Sequence, residues 1–289
     1  SELRRIFIAT QYKSLSLNRH IRMGWNIVSE ELGEFVEILP PQKRVGEHWY
    51  QGTADAVYQN LYSIIQERPR YLIVLSGDHV YKMDYARMLR FHQERGATAT
   101  LATIEIPVDE GSRFGIIAVD EHERVIGFQE KPARPSPIPG VPELALASMG
   151  VYVFDTDVVI RALESDAVQP TAHDFGKDII PALIGQQPVY AYRFYDENKK
   201  GAKYWRDIGT LDAYFEANMD LCHVNPDFNL YDPEWPLRTY QPQAPPAKFV
   251  FADADTRCGH ALDSVISPGC IVSGPTYAST ASATSNSAS

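Results

Sequence analysis

The order of predicted elements indicates an α/β fold with a mostly parallel, doubly wound sheet and helices on both faces. Strand-like apolar runs alternate with segments whose apolar residues recur at helical spacing, and this alternation is typical of such sheets. The clearest strand is residues 71–76 (YLIVLS), a continuous apolar run that predicts burial on both faces. Near the end of the chain, the β-branched and small turn residues of 263–274 predict the start of a β-helix.

The first half of the chain supplies the elements of this sheet. The predicted elements, in order, are a strand at 5–10, helices at about 17–28 and 54–67, a strand at 71–76, a helix at 85–95 and a strand at 98–106. From Gly115 onward the pattern changes to short strands separated by turns, which would extend the sheet or cover a pocket. Two further helices are predicted at 178–183 and 211–221, the second with Thr210 as N-cap.

Composition divides the chain into four segments. Residues 1–224 carry the α/β pattern, and 225–247 are dense in proline and aromatic residues, which predicts an extended linker. Residues 248–274 would form a single coil of the β-helix, although a solenoid needs about three repeats to bury a continuous core. The segment 275–289 is nearly all Ser, Thr and Ala, so we expect it to be disordered.

Charge and cysteine content narrow the class of protein. The 289 residues carry a formal net charge of −10, which disfavours a nucleic-acid-binding surface and favours a small-molecule partner. The three cysteines have no metal-binding spacing and are too few for a disulfide framework, which fits a reducing compartment. Since no stretch approaches the ~20 apolar residues of a membrane span, we expect a cytoplasmic protein without membrane contact.

Three charged residues are candidates for chemistry on phosphate. Asp78 directly follows the buried strand, at the sheet edge where α/β proteins bind ligands, and it could hold a cation or simply cap a turn. Lys131, in the tripeptide EKP, could bind phosphate as a point charge or be a solvated turn residue. Asp207, in YWRDIGT, could share a Mg²⁺ with Asp78 or serve only in a turn.

A loop before the second predicted helix is a candidate for nucleotide binding. In HWYQGTADAV (48–57), Gly52 permits close backbone approach, and the ring of Tyr50 could stack on a base or merely pack. His173 and Asp174 are interpreted as a helix entry. No histidine or cysteine pattern fits a zinc site.

In combination, the motifs HWYQGTADAV, SGDHVYKMDY, EKP, ASMGVYVF, HDFGKD and YWRDIGTLDAY resemble those of the glucose-1-phosphate adenylyltransferases. The resemblance runs from Arg4 to about Gly274. It implies a Rossmann-like nucleotidyltransferase sheet followed by a left-handed β-helix. It also implies synthesis of ADP-glucose and pyrophosphate from ATP and glucose 1-phosphate, in glycogen or starch biosynthesis, by a homotetramer that uses Mg²⁺.

The same resemblance implies a role for individual residues. Asp78 would be the catalytic, Mg²⁺-binding aspartate, Asp207 its metal-binding partner, and Lys131 the ligand of the sugar phosphate. Gly115, Glu130 and Ser148 would lie on the glucose side. The positions implied near ATP are Gln11, Trp49, Tyr50, Gly52 and Thr53.

The sequence departs from the family pattern at both ends. The Gly-rich loop that cradles the triphosphate would lie upstream of Ser1, so we expect residues 1–289 alone to be marginally stable and without turnover. Two alternatives stay open: a glucose-1-phosphate nucleotidyltransferase that uses UTP or dTTP, and a modulatory subunit without catalysis. The sequence does not identify an allosteric effector.

Overall fold

The computed structural model describes residues 3–41, 49–198, 203–253 and 257–281. The chain divides into two compact units, each built from two stretches of sequence. Unit 1 contains Ser1–Ser76 and Asp84–Tyr195, and unit 2 contains Gly77–Met83 and Asp196–Ser289. The division therefore cuts through the segment 1–224 that composition marks as one domain, and the short stretch around Asp78 belongs to unit 2.

Unit 1 contains strands and helices in alternation. Its strands are β1 (Arg5–Ala9), β2 (Phe35–Leu39), β3 (Tyr71–Leu75), β5 (Ala99–Pro107), β6 (Gly115–Val119), β7 (Val125–Glu130), β8 (Leu144–Asp155) and β9 (Val189–Arg193), with β4 (His79–Tyr81) in unit 2. Its helices are α1 (Leu15–Gly24), α2 (Thr53–Tyr58), α3 (Leu61–Gln66), α4 (Tyr85–Glu94), α5 (Thr156–Ala167) and α6 (Ile180–Leu183), the last preceded by a π-helical turn (Phe175–Ile179).

The main sheet is mixed, so the prediction of a mostly parallel sheet is wrong. β8 is its central strand and pairs antiparallel with β3, β5 and β6. β6 and β7 also pair antiparallel, because the tight turn between them, where the Asp120 carboxylate accepts from two backbone amides, reverses the chain. Only β9, which follows α5 and α6, runs parallel to β5. β1 and β2 form a separate parallel pair.

The core of unit 1 lies between this sheet and the helices beside it. Buried apolar side chains of β5 and β8, including Leu101 and Phe154, pack in one cluster with Leu163 of α5 and Ala54 of α2. The ring of Phe175 stacks on Phe154 with centroids 5.7 Å apart, an arrangement worth about 0.5–1.5 kcal/mol beyond burial. The segment around Phe175 is thus fixed against the central strand.

Unit 2 contains a short antiparallel pair, a helix and an irregular segment. β4 pairs with β10 (Trp205–Asp207), and α7 (Leu211–Asp220) follows with Thr210 as its N-cap, as predicted, accepting from the Ala213 amide at 3.2 Å. Residues 225–247, all of them described, form neither helix nor strand.

The end of the chain forms a β-helix, and it is longer than the single coil we predicted. Its strands are β11 (Lys248–Phe249), β12 (Ala252–Asp253), β13 (Arg257–Cys258), β14 (His260–Leu262), β15 (Val265–Ile266), β16 (Ile271–Val272), β17 (Pro275–Tyr277) and β18 (Thr280–Ala281). β11, β14 and β15 pair in parallel with β16, β17 and β18, so two successive turns of three strands are present. β12 and β13, which lie between β11 and β14 in the sequence, pair antiparallel with each other.

The predicted disorder of 275–289 is therefore wrong for 275–281. A pattern poor in charge and large apolar residues does not exclude a β-helix, because parallel backbone pairing with the preceding turn satisfies its amides and carbonyls. Residues 282–289 lie outside the described residues. In the part of the chain that the structure describes, no helix is long and apolar enough to cross a membrane.

Candidate active site

The structure brings Asp78 and Asp207 together in unit 2. Asp78 precedes β4, Asp207 ends β10, and the antiparallel register sets Asp207 opposite His79. The Ile208 amide donates to the Asp78 carbonyl at 2.9 Å, which fixes the two backbones beside one another. The Gly209 amide donates to Asp207 Oδ1 at 2.8 Å, and this bond orients that carboxylate.

This pair has the donor set of a metal site once His79 is included. One ligand atom from each of Asp78, His79 and Asp207 lies within 4.8 Å of the other two. The Asp78 side chain is more than half exposed, so water or phosphate oxygens could complete a coordination shell, whereas His79 is nearly buried against the Trp205 ring, 5.1 Å away. Two carboxylates with open positions suit Mg²⁺ or Mn²⁺, whereas an added imidazole ligand favours metals such as Fe²⁺ or Zn²⁺.

Gly115, Glu130 and Lys131 meet in unit 1, where β6 pairs with β7. Gly115 lies directly opposite Glu130, and a Cβ there would come within 2.6 Å of the Phe128 ring and 3.3 Å of the Glu130 carboxylate. Lys131 follows with φ of +45°, a left-handed conformation that its amide supports by donating to the Phe114 carbonyl at 3.1 Å. Its ammonium is exposed and 3.9 Å from the Glu130 carboxylate, so it can meet an anion from solvent.

Ser148 lies on the central strand β8 beside a tyrosine that the sequence reasoning did not select. The Ser148 and Tyr152 hydroxyls are 3.3 Å apart. Burial, assisted by the nearby carboxylates of Asp174 and Glu130 and opposed by the hydrogen bond with Ser148, raises the pKa of Tyr152 to about 12. Tyr152 therefore keeps its proton at neutral pH. A neutral hydroxyl among two carboxylates and a serine is suited to hydrogen-bonding a polyhydroxyl ligand.

The 49–53 loop contacts the segment that contains Asp174. Thr53 Oγ1 donates to Asp174 Oδ2 at 2.9 Å and accepts from the Phe175 amide at 3.1 Å. Asp174 Oδ1 caps the π-helical turn by accepting from the Gly176 and Lys177 amides, which agrees with its interpretation as a helix entry. Asp174 thus joins two candidate groups, because one of its oxygens faces the loop and its charge acts on Tyr152.

The remaining predicted residues lie apart from these contacts. Tyr50 accepts a hydrogen bond from Asn60 Nδ2 at 2.8 Å, and the Trp49 ring is more than half exposed. Gln11 is exposed and follows β1. His48, which opens the predicted loop, lies outside the described residues.

The sequence is similar to two protein families and to several enzymes of known name. The family described as "Nucleotidyl transferase" matches residues 1–224, and the family described as "GlmU-like, C-terminal hexapeptide" matches 245–285. The glucose-1-phosphate adenylyltransferase of Koribacter versatilis is 59% identical over 96% of this chain and 67% of its own length. The glucose-1-phosphate adenylyltransferase of Rhodopirellula baltica is 51% identical over 95% of this chain. The glucose-1-phosphate adenylyltransferase 2 of Alkalilimnicola ehrlichii is 54% identical, also over 95% of this chain.

The chain belongs to the glucose-1-phosphate adenylyltransferase family. It spans 62% of the length of the Rhodopirellula relative and 65% of that from Alkalilimnicola, about two thirds in each case.

Sequence reasoning missed three residues that the structure adds to the candidate groups. They are His79, Tyr152 and Asp174. For Tyr152 a signal was present: it lies four residues after Ser148, and residues at even spacing share one face of a strand. For His79 the signal was its position directly after Asp78. For Asp174 no spacing rule was available, since its partner Thr53 is 121 residues away.

Proposed function

We propose that the protein transfers the adenylyl group of ATP to glucose 1-phosphate, giving ADP-glucose and pyrophosphate, in the synthesis of glycogen or starch. The observation that carries the proposal is the 51–59% identity to three glucose-1-phosphate adenylyltransferases over at least 95% of this chain. Because the chain spans about two thirds of those relatives, the activity of the whole protein is an inference from them.

The proposed reaction forms one bond and breaks one. A phosphate oxygen of glucose 1-phosphate attacks the α-phosphorus of ATP, and the bond from that phosphorus to the bridging oxygen of the β-phosphate breaks, so that pyrophosphate leaves. Such transfers depend on positioning and on neutralising charge more than on a strong nucleophile. The exposed ammonium of Lys131 would bind the sugar phosphate and compensate part of its charge.

Glu130, Ser148 and Tyr152 would bind the glucose ring. Their groups are a carboxylate that accepts and two hydroxyls that both donate and accept, which match the hydroxyl groups of a sugar. Gly115 leaves the space that the Phe128 ring and the Glu130 carboxylate occupy. The 49–53 loop, with Gly52 and Thr53, would bind ATP, together with Gln11, Trp49 and Tyr50.

Asp78 and Asp207 would hold Mg²⁺. One oxygen of each carboxylate lies within 4.8 Å of the other, close enough for both to coordinate one ion, and their charges suit a hard cation. When bound, the ion would stabilise the negative charge that develops on the reacting phosphate oxygens. Asp78 and Asp207 would fix its position, and the Gly209 amide would keep Asp207 oriented. A homotetramer and a cytoplasmic location stay predictions from the resemblance and the composition.

The test is pyrophosphate release by the full-length gene product, with glucose 1-phosphate, Mg²⁺ and each of ATP, UTP and dTTP in turn. We expect release with ATP to exceed release with the other two at least tenfold, and to stop when the metal is chelated. A preference for UTP or dTTP would overturn the proposed nucleotide. Binding of glucose 1-phosphate without release from any nucleotide would overturn the proposed catalysis and indicate a modulatory subunit.

A further inference from the structure

A buried acid and a histidine form a pair outside the candidate groups. His173 Nδ1 lies 2.7 Å from Asp166 Oδ2, and since a carboxylate only accepts, Nδ1 carries the proton. The Thr171 hydroxyl donates to the other oxygen, Asp166 Oδ1, at 2.7 Å and lies 3.1 Å from Nδ1. The side chains of Asp166 and His173 are only 10% and 13% exposed, so water competes weakly for these bonds.

These bonds fix His173 in a backbone conformation that it would not favour alone. Its φ is +52°, in the left-handed region that only a few per cent of non-glycine residues occupy, although asparagine, aspartate and histidine are enriched there. Such conformations persist where surrounding contacts impose them. Here the contacts are those of the imidazole with Asp166, at the end of α5, and with Thr171.

The carbonyl of His173 is thereby directed at the first turn of α2. It accepts from the Ala54 amide at 2.8 Å and from the Asp55 amide at 3.2 Å, two donors that have no partner within the helix itself. Immediately before this turn, Gly52 packs so closely that a Cβ there would be 2.3 Å from the His173 oxygen. The loop entering α2 therefore rests on the backbone of residue 173.

We propose that Asp166 and His173 are positioning residues that hold the 49–53 loop in its nucleotide-binding conformation. Asp166 fixes the imidazole, the imidazole fixes the left-handed backbone, and the carbonyl of that residue fixes α2 and the loop before it. The inference rests on the proposed function, in which this loop binds ATP. Neither residue touches substrate in this scheme.

The test uses Asp166→Asn, His173→Ala and His173→Asn in residues 1–289, with Glu164→Gln as matched control. Asparagine at 166 has one acceptor oxygen, so it can accept from either the Thr171 hydroxyl or His173 Nδ1 but not from both. Alanine at 173 removes the imidazole and disfavours the positive φ of that residue. Asparagine at 173 tolerates positive φ and keeps an N–H near the Nδ1 position, so it should rescue. Glu164 is exposed on the same helix, and its change removes the same charge.

Hydrogen exchange of the 51–58 peptide and the Kd values for ATP and glucose 1-phosphate are measured for each protein. We expect Asp166→Asn and His173→Ala to speed exchange of the Ala54 and Asp55 amides and to weaken ATP binding about tenfold. His173→Asn and Glu164→Gln should stay within about threefold of wild type. These fold-changes correspond to the loss of one to two hydrogen bonds.

The outcomes separate this inference from the proposed function. Unchanged amide exchange and unchanged ATP affinity in Asp166→Asn and His173→Ala would overturn the inference. An equal loss of both ligands together with a lower melting temperature, not rescued by His173→Asn, would also overturn it, because the pair would then only stabilise the fold. If wild-type residues 1–289 fail to bind ATP, that result counts against the proposed nucleotide site in this chain as a whole, and the exchange data still decide whether residue 173 positions the loop.

Discussion

Gly52→Ala tests the close contact between the 49–53 loop and residues 172–173. The φ of Gly52 is −159°, which alanine adopts freely, so any cost comes from contact. The added Cβ would lie 2.3 Å from the His173 oxygen, 2.4 Å from the Ala172 oxygen and 2.7 Å from the His173 carbonyl carbon. Real Cβ contacts under 3.0 Å are essentially absent, so the loop and the His173 carbonyl must separate by at least 0.7 Å (3.0 − 2.3).

That displacement cannot preserve both hydrogen bonds from the Ala54 and Asp55 amides to the His173 oxygen. Each bond contributes about 1 kcal/mol net, and overpacking against backbone adds about 1–3 kcal/mol. We therefore expect the free energy of unfolding to fall by about 2–4 kcal/mol. It is measured by urea denaturation, from the shift of the midpoint at constant slope.

Gly127→Ala is the matched control, since a Cβ there would meet only the Ala118 Cβ at an ordinary 3.6 Å. Relief of glycine's conformational entropy should leave that variant unchanged or more stable by up to about 1 kcal/mol. If Gly52→Ala unfolds at the same urea concentration as Gly127→Ala, the packing of the loop described above is incorrect.

Four further predictions concern the proposed site and the core. Asp78→Asn and Asp207→Asn should each weaken Mn²⁺ binding at least tenfold in an electron paramagnetic resonance titration, and lower turnover of the full-length gene product about a hundredfold or more; unaltered Mn²⁺ affinity would exclude them as ligands. Lys131→Asn, which keeps the left-handed backbone but not the charge, should raise the KM for glucose 1-phosphate much more than that for ATP; an equal rise would mark Lys131 as structural. Tyr50→Ala should show the opposite bias, and Tyr50→Phe, which keeps the ring, should differ little from wild type. Burial lowers the pKa of His92 below its ordinary 6.5, so the unfolded chain takes up a proton first as the pH falls. Stability from this group is therefore complete above about pH 6.5 and is lost below it. The drop in urea midpoint between about pH 7.5 and about pH 5.5 should be smaller in His92→Gln than in wild type.

Local pattern predicted the elements better than their arrangement. The run YLIVLS corresponds to β3, but the predicted burial on both faces is wrong, because this strand is only partly buried and Leu75 is exposed. Thr210 caps α7 because its hydroxyl reaches the Ala213 amide three residues on. The predicted parallel direction of the strands was wrong because an apolar run has the same pattern in a parallel and in an antiparallel strand. The connections between strands decide which strands pair and in which direction. The second β-helix turn was missed because small residues gave no hydrophobic signal, although their backbones pair with β14 and β15.

Contacts between distant segments were beyond sequence reasoning. Lys82 lies four residues after Asp78 and carries a charge, yet its side chain is fully buried. Its ammonium donates to the Asn229 carbonyl at 2.7 Å and lies 3.7 Å from the Asp232 carboxylate, so an irregular segment almost 150 residues on supplies its partners. The family resemblance favoured the pairing of Asp78 with Asp207, since the local sequence left a metal ligand and a turn residue both open at each position.

The adenylyl specificity is tested most directly by the affinity of residues 1–289 for ADP-glucose compared with UDP-glucose, measured by calorimetry with and without Mg²⁺. ADP-glucose would occupy the proposed nucleotide and sugar positions at once, and the comparison needs no turnover. We predict that ADP-glucose binds at least tenfold more tightly than UDP-glucose, and that the affinity for ADP-glucose falls in Lys131→Asn. Equal affinities, or tighter binding of UDP-glucose, would contradict the proposed adenylyl specificity.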